Sequence, residues 1–399
     1  MTALWKDLRT PVRAMLYLHW IYSFVGALTG VFIHIFFYQK FGSVSFNALA
    51  QALFFAGVIL GFSGCGYIAS LVRMNIKYGY PIAFFILGGS FLLLYGAVTK
   101  ADAGWFMLLN GFGLGVYWLT LHTFELTETQ NSERDSYSSL LSAGDQVIEF
   151  VGPAVATLLL VLSGDVLKWG SYTLLFIVAP VFYLLGMGFL SPIRSYRPEP
   201  MVLADFVHAL TDRKNQLAQV YMFSGSASYA FSKTAVPIAA LVFFGSEKNV
   251  GMWNVSFSLF SVVALLVLAR FREPENRLRF LFVTSVLFAC VYALVAAWYV
   301  FAAYLIFSFV SIILKPLQRV SAHVIDLGTM ETLGREGSDF FATMVFRDIA
   351  LGVWRIVSLL LFIVLIHVFG EGEVAVRIGF LFLAGAMLLQ YIGAKLIIR

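Results

Sequence analysis

Apolar residues in this chain fall in long, nearly unbroken runs, not in the alternating or one-faced stripes of elements half-covered by water. Breaking the sequence at charged and Gly/Pro-rich turns leaves six runs before residue 195, over 14–38, 46–71, 81–99, 103–124, 137–163 and 170–191. Six more follow, over 217–244, 250–269, 279–299, 302–325, 339–369 and 374–397. A helix needs ~20 such residues to cross the hydrocarbon of a bilayer. In lipid a helix satisfies its own backbone, so each run predicts one. Ser191 to Gln216 breaks the pattern with Pro192, Arg194, Arg197, Pro198, Pro200, Asp205, Asp212, Arg213 and Lys214. The pattern therefore predicts an all-α membrane protein of twelve transmembrane helices in two pseudo-symmetric six-helix bundles, residues 1–191 and 217–399, joined by a cytoplasmic linker over 192–216.

The two halves echo each other. His122, Glu125 and Arg134 recur as His323, Asp326 and Arg335, both spacings kept at an offset of 201 residues. Composition agrees with lipid as the main solvent: 60% of residues are hydrophobic, 12% are charged, and mean hydropathy is +0.86. Lys6, Arg9 and Arg13 precede a long apolar run with no small-residue cleavage site after it, so the first span is expected to stay attached. Cys65 and Cys290 lie in apolar runs, which makes them small packing residues and leaves neither a disulfide framework nor a metal site to expect. Lys and Arg are sorted by loop, seventeen on the side of the termini against five on the other. That bias places both ends in the cytoplasm and reads as a multi-pass protein of the plasma membrane, the inner membrane of a bacterium. The net charge of +5 is spread over short loops and forms no stripe, so nucleic acid is not an expected partner.

Twelve spans in two halves, a central linker, and charged loops after spans 2 and 8 resemble the major facilitator superfamily. The family's loop signature, Gly-x-Leu-Ala-Asp-Arg-x-Gly, is worn in this chain: Gly66-Tyr67-Ile68-Ala69-Ser70-Leu71-Val72-Arg73 carries Ser70 where the family has its Asp. In the second half Ala269-Arg270-Phe271-Arg272 keeps only an Arg. Gly144 followed by Gly152-Pro153 on span 5 is similar to the family's antiporter signature, with Ala156 and Thr157 in place of its last glycines. No basic residue occurs from Leu108 to Gly115, where proton-coupled exporters of the family carry an Arg. The resemblance implies a secondary transporter that rocks one half against the other around a central site. It also implies that spans 1, 4, 7 and 10 line the path and that spans 5 and 11 meet between the halves.

Apart from the resemblance, Gly26/Gly30, Gly57/Gly61 and Gly111/Gly115 repeat at the spacing that lets helix backbones approach closely. Pro153, Pro237 and Pro316 interrupt helical hydrogen bonding inside spans and are candidate bends.

Ionisable groups inside spans carry the chemistry, since each costs at least ~2.5 kcal/mol unless it faces a partner or water. Asp145 and Glu149 lie one turn apart on span 5. The second half holds Lys233 on span 7, Lys315 and Arg319 on span 10, and Arg347, Asp348 and Arg355 on span 11. Asp145, Arg347 and Asp348 suit gating pairs that form in one state and break in another. Lys315 and Arg319 repel each other across one turn, so something negative belongs beside them. An anionic substrate bound by Lys233, Lys315, Arg319 and Arg355 would supply it; equally well, Glu149 supplies it, or the long side chains need none because they snorkel to the interface.

Tyr22, Tyr117 and Tyr229 are candidate lining residues, although most aromatics in such a chain pack or anchor at interfaces. His19 can titrate near neutrality and carry a proton, or serve as an interfacial hydrogen-bonding group. His122 with Glu125 and His323 with Asp326 suit matching latches at the cytoplasmic ends. A phosphate-binding loop, a His-Glu-x-x-His pair and a Gly-x-Ser-x-Gly elbow are all missing, so an enzyme, a metal or a cofactor is not expected. The partners expected are a small solute, protons or another coupling ion, and lipid, with the chain acting as a monomer. The leading reading is a proton-coupled transporter of a small organic or phosphorylated anion. A drug or lipid exporter of the same fold and a non-transporting receptor or scaffold are the alternatives.

Overall fold

The computed structural model describes residues 5–6, 8–96, 98–129, 131–201, 213–268, 277–315, 318 and 340–398. Among them no strand occurs. Twelve helices follow the apolar runs: α1 Thr10–Phe41, α2 Val44–Leu71, α3 Ile76–Leu94, α4 Lys100–Glu128, α5 Asn131–Val161, α6 Thr173–Phe189, α7 Arg213–Phe244, α8 Glu247–Leu268, α9 Arg277–Ala297, α10 Phe301–Lys315, α11 Phe340–Phe369 and α12 Glu373–Ile398. Nine of the described helices are long and apolar enough to cross a membrane, and α6 and α10 are shorter apolar helices. Large apolar side chains such as Phe85, Leu92, Val368 and Phe369 remain more than 60% exposed, as lipid-facing groups would be. This is an integral, multi-pass membrane protein.

The helix ends are set by local chemistry. Thr99 and Asp102 form a reciprocal capping box that starts α4. Asn75 accepts from the Lys77 N–H to start α3. At the C-terminus of α9, Arg377 of α12 donates to the carbonyls of Ala296 and Ala297 at 2.7 and 2.9 Å, supplying partners that the helix lacks.

The chain divides into two compact units: residues 1–33 with 53–201, and residues 34–52 with 202–399. In the first unit α2 and α4 touch backbone to backbone. A side chain on Gly57 would overlap the Leu108 carbonyl, one on Gly61 the Phe112 carbonyl, one on Gly111 the Phe54 carbonyl and one on Gly115 the Val58 carbonyl. The two four-residue repeats read from the sequence thus interlock with each other. Gly61 lies in a π turn at Leu60–Gly64, where the extra residue per turn bulges α2 at this crossing. The third repeat does not act this way, since nothing lies within 4 Å of a side chain placed on Gly26 or Gly30.

In the second unit α12 is the central helix, packed on α7 and α9. Gly393 lets the Tyr221 backbone approach, and Gly379 makes room for the Ala235 methyl group. Of the cysteines, Cys65 is half-buried while Cys290 is exposed on α9, so only Cys65 has the packing role expected of both. Pro153 and Pro237 lie inside α5 and α7; Pro316 falls outside the described residues.

Close packing and open space predict opposite responses to one change. Gly111→Val should lower stability by about 1–3 kcal/mol through overpacking. Gly30→Ala should be neutral or stabilise by up to about 1 kcal/mol, because alanine is the better helix former. Thermal unfolding of the detergent-solubilised variants measures both.

Candidate functional site

Each unit carries its own cluster of polar groups. In the first, the centre is His19 of α1, 4% exposed. Its Nδ1 lies 3.0 Å from the Tyr117 hydroxyl of α4, and its Nε2 lies 3.3 Å from the Asp145 carboxylate of α5. Ser23, one turn further along α1, places its hydroxyl 3.1 Å from the same Nε2. Glycine makes this approach possible. A side chain on Gly144, next to Asp145, would overlap the indole of Trp20, the neighbour of His19, and one on Gly152 would crowd Ala27. The glycines of the span 5 signature therefore seat α5 against α1 at the level of the His19–Asp145 pair.

The same hydrogen bonds can be drawn for a neutral or a doubly protonated ring. With neutral His19 protonated on Nε2, that N–H donates to Asp145 and Nδ1 accepts from the Tyr117 hydroxyl. With His19 doubly protonated, Nδ1–H donates to the Tyr117 oxygen and the imidazolium faces a carboxylate. Tyr117 is fully buried, and the Tyr22 ring stacks on it at 4.2 Å; it supports Tyr22 and the histidine and does not line open space. Trp118 meets Tyr22 edge-on at 5.8 Å and stacks on His122 at 4.9 Å. Glu125 accepts from His122 Nδ1 and from the Tyr137 hydroxyl, both at 2.9 Å. Two residues of the first copy of the sequence echo, His122 and Glu125, are thus hydrogen-bonded to each other. The second copy, His323 and Asp326 with Arg335, lies outside the described residues, as does Arg319. Glu149 is exposed one turn beyond Asp145.

In the second unit Tyr229 of α7 presents a 43% exposed ring to two cations. The Lys233 ammonium lies 5.5 Å from the ring centre and the Arg355 guanidinium of α11 lies 4.9 Å from it. An aromatic face attracts each cation, while the cations repel each other. Lys233 is exposed and has no carboxylate within ion-pair distance among the described residues. The rotation of α11 is fixed beside Arg355 by Trp354, whose indole N–H donates to Gln219 at 2.6 Å and whose ring meets Phe223 edge-on at 5.2 Å. Arg347 and Asp348 are half-buried further back on α11, and Lys315 is exposed at the end of α10.

A third arrangement, also in the second unit, was not legible in the sequence. Glu371, in the turn before α12, accepts from the backbone N–H groups of Val44 and Ser45 at the start of α2 and from the Ser43 and Ser45 hydroxyls. A carboxylate here meets unpaired amides and the positive end of a helix dipole. Nearby, His34 Nδ1 and Asn47 Oδ1 are 3.1 Å apart. The Glu371 contacts join residues more than 320 positions apart, which no local pattern announces. Burial alone would raise the Glu371 pKa, but hydrogen bonds from Ser45, Ser43 and the two backbone amides outweigh it and hold the carboxyl below its ordinary range.

No protein-family profile matches this chain, and no curated protein matches it in sequence. Solved structures do. The nucleoside transporter NupG superimposes with a TM-score of 0.66 at 11% identity, covering 98% of each chain. A structure described as a proton dependent oligopeptide transporter gives 0.63 at 13% identity, over 97% of this chain and 98% of that one. The human organic anion transporter MFSD10 gives 0.63 at 12%, over 97% and 99%. The chain has the fold of the major facilitator transporters, as its spans and worn signatures implied.

The Glu371 contacts fix a pH dependence. Because its pKa is depressed in the folded protein, the stability it contributes is present above the unfolded carboxylate value and is lost as pH falls through the folded one. Wild type should melt above Glu371→Gln at pH 7, and the gap should close on acidification below about pH 4. A gap that does not vary with pH would refute this assignment.

Proposed function

We propose that this chain is a secondary active transporter of a small organic or phosphorylated anion, driven by protons. The carrying observation is the pair of cations, Lys233 and Arg355, drawn onto the exposed Tyr229 ring. Among the described residues Lys233 has no carboxylate within ion-pair distance, and placing two positive groups together in a membrane protein costs energy that an arriving carboxylate or phosphate offsets. The planar guanidinium of Arg355 suits bidentate binding of either group. Solved structures of the same fold carry names of nucleoside, oligopeptide and organic anion transporters, which supports a small polar solute as cargo.

In this reading His19 and Asp145 form the proton-linked pair, with Tyr117 adjusting its hydrogen bond to either protonation state. Tyr22 is the face of that cluster available to solute. Glu125, Arg347 and Asp348 set conformational preference, and Lys315 with Arg319 adds positive potential. Both termini face the cytoplasm, and the chain works as a monomer.

Uptake into proteoliposomes tests the two roles separately. Lys233→Ala and Arg355→Ala should each raise the KM for anions by roughly tenfold to a hundredfold, the loss of one charge-assisted hydrogen bond of about 1.5–3 kcal/mol. Asp145→Asn and His19→Gln should abolish accumulation driven by a pH gradient while leaving solute exchange across the membrane intact. Unchanged anion kinetics in both cation variants, or competition by organic cations in place of anions, would overturn the anion assignment and favour an amphiphile exporter.

A further inference from the structure

The first part of the segment read as a linker is a built layer of the first unit. Residues 191–201 run along the α2–α3 turn and are fastened to it at successive positions. The Lys77 ammonium donates to the Ser191 carbonyl at 3.2 Å. The Asn75 amide nitrogen donates to the Ser195 hydroxyl at 2.9 Å, and its oxygen accepts from the Tyr196 N–H at 3.3 Å. The Ile76 N–H donates to the Tyr196 carbonyl at 2.9 Å. Arg73 pairs with Glu199 at 2.8 Å, and the Met201 N–H reaches the Ser70 hydroxyl at 3.4 Å. A second tie runs from Arg194 to Glu128 at the end of α4, at 3.9 Å. Between these polar ties Ile193, Pro198 and Met201 are buried, so the segment has an apolar underside as well.

The turn that receives it is shaped for the purpose. Ser70 is fully buried and stands where the loop signature has Asp. Its hydroxyl donates to the Tyr67 carbonyl and turns its lone pairs to the Met201 N–H. Arg73 adopts φ 50°, a left-handed conformation uncommon for a side chain with a Cβ, and the Arg73 and Met74 N–H groups return to the Ser70 and Ala69 carbonyls to close α2. Asn75 is the keystone, since one side chain caps α3 and holds both Ser195 and Tyr196.

We infer that residues 191–201 form a strap clamped permanently to the α2–α3 turn by Asn75, so that the chain leaving α6 stays fastened to the first unit as far as Met201. A chain extends by at most ~3.5 Å per residue, so ten released residues would add about 35 Å of reach. The clamp does not rest on the proposed transport function.

Limited trypsin digestion of the purified full-length protein, read by mass spectrometry at the Arg194–Ser195 bond, tests the clamp without any transport assay. The intact strap should protect this bond, and Asn75→Ala should speed its cleavage at least tenfold. Equal cleavage rates in the two proteins would refute the clamp. A double variant, Asn75→Cys with Ser195→Cys in a background of Cys65→Ser and Cys290→Ser, covers the case in which Asn75→Ala fails to fold. When crosslinked it should transport at the rate of its reduced form. Loss of transport on crosslinking, restored by reduction, would show that the strap must undock and would overturn a permanent anchor.

Discussion

Hydrocarbon offers no hydrogen bonds, and from this one constraint most of the architecture follows. Each span is helical because only a helix pairs its own backbone, and each polar side chain inside a span must find its partner in the protein. His19 finds Tyr117, Ser23 and Asp145; Glu125 finds His122 and Tyr137; Trp354 finds Gln219. Lys233 is the informative exception. An aromatic face is its neighbour, and no carboxylate joins it among the described residues. On that ammonium the proposed anion site rests.

Lipid also removes the hydrophobic drive between helices, so they must be held by contact. Glycine does this in both units. Gly57, Gly61, Gly111 and Gly115 join α2 to α4, Gly379 and Gly393 join α12 to α7, and Gly144 with Gly152 seats α5 on α1. The last of these links packing to chemistry, because the same approach that Gly144 allows brings Asp145 to His19. A residue that carries no functional group therefore positions two that do.

The worn loop signature has a comparable explanation. Where Ser70 replaces an acid, its hydroxyl serves as donor to its own helix and acceptor for the Met201 N–H. A serine can do both at once, whereas an ionised carboxylate only accepts.

The sequence alone determined the helices, their number and order, and the polar break after the sixth, because crossing lipid demands length and apolarity that any reader of the chain can measure. It singled out Asp145, Glu149, Lys233, Lys315, Arg319, Arg347, Asp348 and Arg355 by the same rule, since charge inside an apolar run is costly wherever it points, and His19 separately as a candidate proton carrier. It could not say which of them meet. That His19 pairs with Asp145, that Lys233 and Arg355 share Tyr229, that Tyr117 is buried beneath Tyr22, and that Glu371 caps a helix starting at Val44 all depend on the rotation and spacing of helices far apart in the chain. Only tertiary packing decides these, because a helix fixes the spacing along its own axis and leaves the direction of each face to its neighbours.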